Sequence, residues 1–132
     1  MTNQNVVNWL KTVTDIGDGI SASAIDESKS RYIGVYDPKN SEKQRICIGG
    51  KQNTKYQIKK AIILVHWTNN PTVAESKALE ISRLLHGISD TEIDGIKVIA
   101  VTASVPVWAG RDVKSVCEYI VNAEFKYERD DK

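Results

Sequence analysis

The sequence predicts an α+β protein with a single mixed, mainly antiparallel sheet and two helices packed on it. Two segments repeat apolar residues every three or four positions, as on the buried face of a helix. Other segments are rich in β-branched and aromatic residues, or alternate apolar with polar residues, as strands do. The predicted order is helix, three strands, helix, two strands. One sheet with both helices on one face accommodates that order.

The first predicted helix covers residues 4–17. Its apolar residues are spaced by three and four positions and therefore share one face. They are Val6, Trp9, Leu10, Val13 and Ile16. Gly17 and Gly19 end the pattern. Residues 21–30 are small and polar, as expected of a loop.

Three strands are predicted between residues 31 and 67. Residues 31–36 and 45–48 are short apolar segments, each followed by turn-forming residues. Residues 56–67 contain an unbroken apolar run, which is typical of a strand buried on both faces at the centre of a sheet. Residues 31–60 together make a hairpin region that is rich in basic side chains.

The second predicted helix covers residues 71–87. Pro71 suits the first helical turn, and Thr72 with Glu75 has the spacing of a capping box. Apolar residues then repeat by four and three positions, and Gly87 is expected to end the helix. The repeating residues are Ala74, Ala78, Ile81, Leu85 and Ile88.

The C-terminal strands are predicted within residues 96–128, after a tight turn at Asp94-Gly95. Residues 96–105 are rich in Val and Ile, and residues 106–111 are expected to form an irregular apolar connection. From Cys117 onward, apolar and polar residues alternate over a long stretch. This alternation predicts a long antiparallel strand with one face exposed to water.

The length and charge of the chain limit the classes of protein to consider. The chain has 132 residues, a mass of 14.7 kDa and a formal net charge of +1. This length fits one domain over residues 1–132, and the near-neutral charge argues against a nucleic-acid binder driven by overall charge. The sequence has neither the apolar core of a signal peptide nor a run long enough to span a bilayer. We therefore expect a soluble protein made in the cytosol, with no membrane partner.

The sequence contains no recognisable set of reactive groups. Cys47 and Cys117 lie in separate strand-like segments and are expected to act as small apolar residues. The two histidines, His66 and His86, form no ligand cluster with them by spacing. His66 follows a buried run and is interpreted as a strand-end histidine with satisfied hydrogen bonds. We expect no catalytic residue, no cofactor and no metal, and hence no enzyme.

Charge is unevenly distributed along the chain. Residues 29–60 contain nine basic and two acidic residues, a net charge of +7, whereas the remaining residues have a net charge of −6. Three interpretations stay open at this point. The lysines could protect edge strands from aggregation, form a contact surface for a like subunit in a head-to-tail ring, or contact DNA phosphates.

The order of elements and the C-terminal half resemble the minor capsid and tail-terminator (head–tail joining) proteins of long-tailed bacteriophages. The likeness lies in the helix 71–86, the strand 96–105, the connection Pro106-Val107-Trp108-Ala109-Gly110-Arg111-Asp112 and the last strand. That strand carries Glu118-Tyr119, Asn122 and Tyr127-Glu128. The resemblance implies a structural virion protein of a phage or prophage, assembled in the cytoplasm of a bacterial host. It does not separate a tail terminator from a head-completion protein.

The resemblance also implies partners. These are copies of the same chain in a ring, which would be a hexamer, together with the phage tail-tube protein and the head-connector proteins. We expect the contacts to involve residues of the basic hairpin and of the connection before the last strand. The candidates are Arg45, Lys51, Lys55, Lys59, Lys60, Trp108, Arg111 and Asp112. The alternatives are a small cytosolic ligand-binding or enzyme domain and a nucleic-acid-binding module that uses the basic hairpin.

Overall fold

A computed structural model describes residues 1–22, 25–26, 28–38 and 56–128. These residues form two helices and seven strands, whereas the sequence predicts two helices and five strands. The elements are α1 (Asn3–Val13), β1 (Gly19–Ser21), β2 (Arg31–Tyr36), β3 (Tyr56–Trp67), α2 (Pro71–Leu85), β4 (Ser89–Ile93), β5 (Ile96–Ala103), β6 (Val107–Arg111) and β7 (Cys117–Glu128). The strand predicted at residues 45–48 lies outside the described residues.

All seven strands belong to one sheet, in the order β1-β2-β3-β7-β5-β4, with β6 paired to β7. Strand β1 runs parallel to β2, and every other pair is antiparallel. The two twelve-residue strands β3 and β7 lie at the centre. The prediction of an α+β protein with a mixed, mainly antiparallel sheet is confirmed.

Both helices cover the same face of the sheet. Every second residue of β7 from Cys117 to Tyr127 is buried, as the alternating pattern predicts. The buried side chains of β2 and β3 pair on this face and meet α1 and α2. The other core members contributed by the helices are Val6, Val7, Leu10, Ala74, Ala78, Ile81 and Leu85. The core is therefore one layer between the sheet and the two helices.

Helix α1 is shorter at its C-terminus than the predicted segment 4–17. It begins with a capping box between Thr2 and Asn5 and ends at Val13. Thr14 adopts an extended conformation, although its N–H still donates to the carbonyl oxygen of Leu10. The helical spacing continues in the sequence to residue 16, but the chain has already turned toward β1.

Helix α2 ends at Leu85, two residues before the predicted end, and it is capped differently from the prediction. The side chain of Asn70 accepts hydrogen bonds from the N–H groups of Thr72 and Val73, at 3.0 and 3.4 Å. The predicted capping box of Thr72 with Glu75 is therefore wrong. An Asn directly before Pro71 leaves the proline at the first helical position, where its missing N–H costs nothing.

Three strands were not predicted as such. Strand β1 has only three residues, and the last of them, Ser21, begins the expected loop. Strand β4 pairs with β5 through the predicted turn at Asp94-Gly95, where both residues have positive φ angles of 51° and 79°. Strand β6 occupies the connection expected to be irregular, and β5 correspondingly ends at Ala103 rather than 105. Each of these strands is short and is held in the sheet by backbone pairing with one neighbouring strand.

No helix in the described part of the chain combines the length and the apolar character needed to cross a membrane.

Candidate interaction surface along β6

Strand β6 is an edge strand that pairs only with β7 among the strands described. Its outer side has no partner strand in the described part of the chain, and an edge of this kind can add a strand from another chain. The pairing with β7 is interrupted between Trp108 and Gly110, where Gly110 has a φ angle of 112°. An interruption of this kind bends an edge strand and changes the direction of its side chains.

Exposed apolar side chains are concentrated along this strand. Seven large apolar residues of the described chain are exposed, and four of them lie within residues 105–113. These four, which we call the β6 surface, are Val105 (74% exposed), Val107 (52%), Trp108 (47%) and Val113 (94%). They lie on the edge strand and on the segments directly before and after it, and exposed apolar side chains of this kind suit a contact with another protein.

Trp108 contacts two side chains of its own subunit. Its ring meets the ring of Tyr119 edge-on, at 5.2 Å between centroids. The guanidinium carbon of Arg111 lies 5.9 Å from the Trp108 ring centroid. Burial, and then the nearby Glu75, raise the pKa of the Tyr119 phenol. The indole is thus oriented by the subunit itself while about half of the residue remains exposed.

Arg111 connects the end of β6 to the start of α2. Its Nη1 donates to the carbonyl oxygens of Asn69, at 3.1 Å, and Ser115, at 3.0 Å. These two contacts fix the loop between β6 and β7 against the segment that caps the helix. Arg111 therefore supports the β6 surface from within the subunit.

Asp112 folds the same loop on itself. Its Oδ1 accepts hydrogen bonds from the N–H groups of Lys114 and Val116, both at 2.9 Å. The backbone N–H of Asp112 donates to the carbonyl oxygen of Val116 at 3.0 Å. The turn projects Val113 into solvent, while the Asp112 carboxylate faces the protein. The position of Asp112 indicates a role in shaping the surface.

His66 lies beneath this loop and is fully buried. Its Nδ1 is 3.1 Å from Oε2 of Glu118, and its Nε2 is 3.0 Å from the carbonyl oxygen of Lys29. The second carboxylate oxygen of Asp112 is 3.6 Å from Nε2 and has no hydrogen-bond partner among the described residues. Both ring nitrogens of His66 thus have partners, in agreement with the interpretation from the sequence.

The basic candidates lie elsewhere in the fold. Lys59 and Lys60 are on β3, opposite the C-terminal half of β7, whereas β6 pairs with its N-terminal half. Lys59 forms an ion pair with Asp37, and this contact is the main reason that the pKa of Asp37 is lowered. Lys60 lies opposite Glu124 in the sheet. The candidates Arg45, Lys51 and Lys55 are outside the described residues.

The structure therefore brings Trp108, Arg111 and Asp112 together and separates them from Lys59 and Lys60. The exposed valines of the β6 surface were not among the residues predicted from the sequence. The sequence did carry a signal for one of these valines. Val113 lies between the charged residues Asp112 and Lys114, which indicates an exposed position.

In the described residues, neither a cluster of metal-binding side chains nor an exposed cysteine is present. They contain no group of three or more His, Cys, Asp or Glu side chains placed to hold a metal ion. Cys117 is a buried free thiol in the core, and Cys47 is outside the described residues. The exposed apolar side chains and the strand edge of β6 are features that suit binding of another protein chain.

Comparison with known proteins identifies the chain's family. A family model described as "Bacteriophage tail terminator protein" matches residues 7–129. A search of the curated proteins found no match to the chain. Tail terminators are structural proteins of phages, which argues against an enzymatic role and is consistent with a component of the virion. The family match spans both helices and all seven strands except for the first residues of α1, and the chain belongs to the bacteriophage tail terminator protein family.

Proposed function

We propose that this tail terminator forms a closed ring of identical subunits, a hexamer, at the head–tail junction of the virion. In this role it ends the polymerised tail tube and presents a surface to the head connector. Assembly takes place in the cytoplasm of the bacterial host, from a phage or prophage gene. The observation that supports the ring is the β6 surface, four exposed apolar side chains on and beside a strand edge that has no partner strand in the described part of the chain.

The β6 surface suits a protein partner in two ways. Its apolar side chains are removed from water when a partner covers them, at about 25 cal/mol per Å² of apolar area. Its strand edge, unpartnered in the described part of the chain, can pair with a strand of the same partner. In a ring, each subunit contacts its neighbour through two different surfaces, so the β6 surface would meet another part of the next subunit.

The uneven charge supports the same arrangement. Residues 29–60 carry a net charge of +7 and the others −6. Opposite charges on two parts of one subunit favour head-to-tail association and disfavour like surfaces meeting. The two described lysines at the end of this region, Lys59 and Lys60, lie beside acidic groups of their own subunit. This local neutralisation argues against a DNA contact at these two lysines.

The proposed function is tested by assembly with and without the tail tube. Size-exclusion chromatography with light scattering gives the subunit number of the purified protein across a range of concentrations, and electron microscopy shows whether rings form. Polymerising tail-tube protein of the same phage is then added. We expect rings at high concentration or at the ends of tubes, and tubes that stop lengthening once the protein is bound.

The control is the same mixture with the terminator omitted, in which tubes continue to lengthen. A protein that stays monomeric at every concentration, forms no ring on tube ends and leaves tube length unchanged would contradict the proposal.

A further inference from the structure

The two histidines of the chain face opposite kinds of hydrogen-bonding partner. Nδ1 of His86 accepts a hydrogen bond from the backbone N–H of Ala103, at 3.1 Å. A ring nitrogen that accepts has a free lone pair, so this contact requires the ring to be neutral with its proton on Nε2. The two nitrogens of His66 instead face oxygens, one from Glu118 and one from the backbone of Lys29.

Oxygens of a carboxylate and of a peptide carbonyl only accept hydrogen bonds. A neutral imidazole has one N–H, so it can donate either to Glu118 or to Lys29. The other ring nitrogen would then place a lone pair against an oxygen lone pair at about the same distance, in a site where the side chain of His66 is fully buried. An imidazolium ion has two N–H groups and satisfies both contacts at once.

The other groups around His66 also suit a ring with two N–H groups. The Glu118 carboxylate belongs to β7. The Asp112 carboxylate belongs to the loop after β6, and its Oδ2 is 3.6 Å from Nε2. The Lys29 carbonyl belongs to the segment before β2. On β2 itself, Tyr32 lies opposite His66. Each ring nitrogen thus has a carboxylate oxygen within 3.6 Å, and a ring with two N–H groups directs one toward each of them.

We propose that the folded protein holds His66 as an imidazolium ion between Asp112 and Glu118, while His86 is neutral with its proton on Nε2. The buried ion is then the counter-charge for an Asp112 oxygen that has no hydrogen-bond donor among the described residues. Removing the charge from His66 would leave two buried or half-buried carboxylates facing each other across the ring.

The ion joins three segments that are far apart in the sequence. It lies on β3, contacts the chain before β2 through Lys29, and holds the loop after β6 through Asp112. That loop carries Val113 and follows directly on β6. His66 is therefore a positioning residue for the β6 surface. This inference concerns the folded subunit and does not depend on whether a ring forms.

Nitrogen NMR of the histidine rings tests the proposal directly. The protein is labelled with ¹⁵N-histidine, and two-bond ¹H–¹⁵N spectra are recorded at pH 7, with assignment by His66→Gln and His86→Gln. We expect two protonated nitrogens in His66. We expect one protonated and one bare nitrogen in His86, with the bare nitrogen at Nδ1.

A bare nitrogen in His66 at pH 7 overturns the proposal. That includes the case in which Glu118 itself carries the proton and donates it to Nδ1. Because the chain has two histidines, His86→Gln alone is enough to assign both rings. His86 is exposed, so the test does not rely on a variant that folds poorly.

A matched variant adds a second test. In Glu118→Gln the side-chain amide keeps the shape of the carboxyl group but can donate to Nδ1, so a neutral ring satisfies both contacts. We expect His66 of this variant to lose one ring proton under conditions where the wild type keeps both, with the His86 signals unchanged. A His66 ring that stays doubly protonated in the variant would show that Glu118 does not set its charge.

Discussion

The ring of Trp108 meets the ring of Tyr119 edge-on, with the two planes at 76° and the centroids 5.2 Å apart. Tyr119 belongs to the central strand β7 and is almost fully buried, whereas Trp108 lies on the edge strand β6 and is half exposed. The pair thus connects the core to the β6 surface. A surface that is held by the core keeps its shape before a partner arrives, which lowers the entropy lost on binding.

Replacing this tryptophan separates its internal and external roles. We expect Trp108→Ala to lower the free energy of unfolding by about 1–2 kcal/mol, because it removes the edge-on ring pair and the half-buried side of the indole. Trp108→Phe keeps a ring against Tyr119 and should retain most of that stability. Denaturant unfolding followed by circular dichroism measures both. Equal stability of Trp108→Ala and wild type would show that the ring contact contributes nothing.

The valines of the β6 surface should affect assembly and leave folding largely unchanged. We expect the double variant Val107→Lys with Val113→Lys to weaken subunit association at least tenfold, because it places two charges in an apolar contact. Lysine is tolerated on exposed edge strands, so the subunit should remain folded. Light scattering and thermal unfolding check the two effects.

The matched control for this pair is Val13→Lys, which adds a lysine at an exposed valine on α1, a helix that packs on β1, β2 and β4. It should assemble as the wild type does. If the control and the double variant assemble equally well, the β6 surface is not a subunit contact.

The ion pair of Glu80 with Lys77 predicts a pH dependence. Lys77 Nζ is 2.8 Å from Oε2 of Glu80 and also donates to Thr14, whose hydroxyl donates to the same carboxylate. The Lys77 contact, followed by that of Thr14, lowers the pKa of Glu80 in the folded protein. The pair therefore stabilises the fold above the ordinary pKa of a glutamate, and that contribution is lost as the pH falls through the lower, folded-state value.

We expect Glu80→Gln to lower the free energy of unfolding at pH 7 by about 0.5 kcal/mol, a small value because the carboxylate is half exposed. The difference between wild type and variant should vanish as the solution is acidified. Denaturant unfolding at several pH values measures this, with Glu92→Gln on β4 as the control. A wild-type–variant difference that is constant with pH would contradict the interpretation.

The turn between β4 and β5 is fixed by its backbone and by α1. Gly95 has a φ angle of 79°, and the Asp94 carboxylate accepts hydrogen bonds from Asn5 and Asn8, at 2.9 and 3.0 Å. These two bonds, Asn5 first, lower the pKa of Asp94. We expect Gly95→Ala to cost about 1–2 kcal/mol, since an L residue is strained at this angle.

Substitutions of Asp94 separate its backbone role from its side-chain role. Asp94→Asn tolerates the positive φ angle of this position, 51°, and keeps one acceptor oxygen, so it should destabilise less than Asp94→Ala. Thermal unfolding ranks the variants. The opposite ranking, with Ala more stable than Asn, would show that neither the turn geometry nor the contacts with α1 contribute.

Local periodicity predicted the parts of the fold that repeat. The alternation after Cys117 predicted β7 with its buried and exposed faces, and the three-and-four spacing after Pro71 predicted α2. The ends were less well predicted, because they depend on single contacts. Asn70 caps α2 where a capping box at Thr72 was expected, and Thr14 becomes extended while the apolar spacing of α1 continues.

Of the candidate site, the sequence supplied Trp108, Arg111 and Asp112 as neighbours along the chain. It did not show that Arg111 holds Asn69, or that Asp112 faces His66. These contacts join residues more than forty positions apart. Neither spacing nor composition carries information about such pairs.

By itself the sequence determined the α+β class, both helices, the long strands and the resemblance to tail terminators, because these follow from patterns that repeat within one element. Only the tertiary structure decided that residues 107–111 form an edge strand and that His66 lies between two carboxylates. A short strand has too few residues to show a period, and it forms because β7 offers backbone partners. A buried charge cluster likewise exists only once the sheet brings β3, β7 and the loop after β6 together.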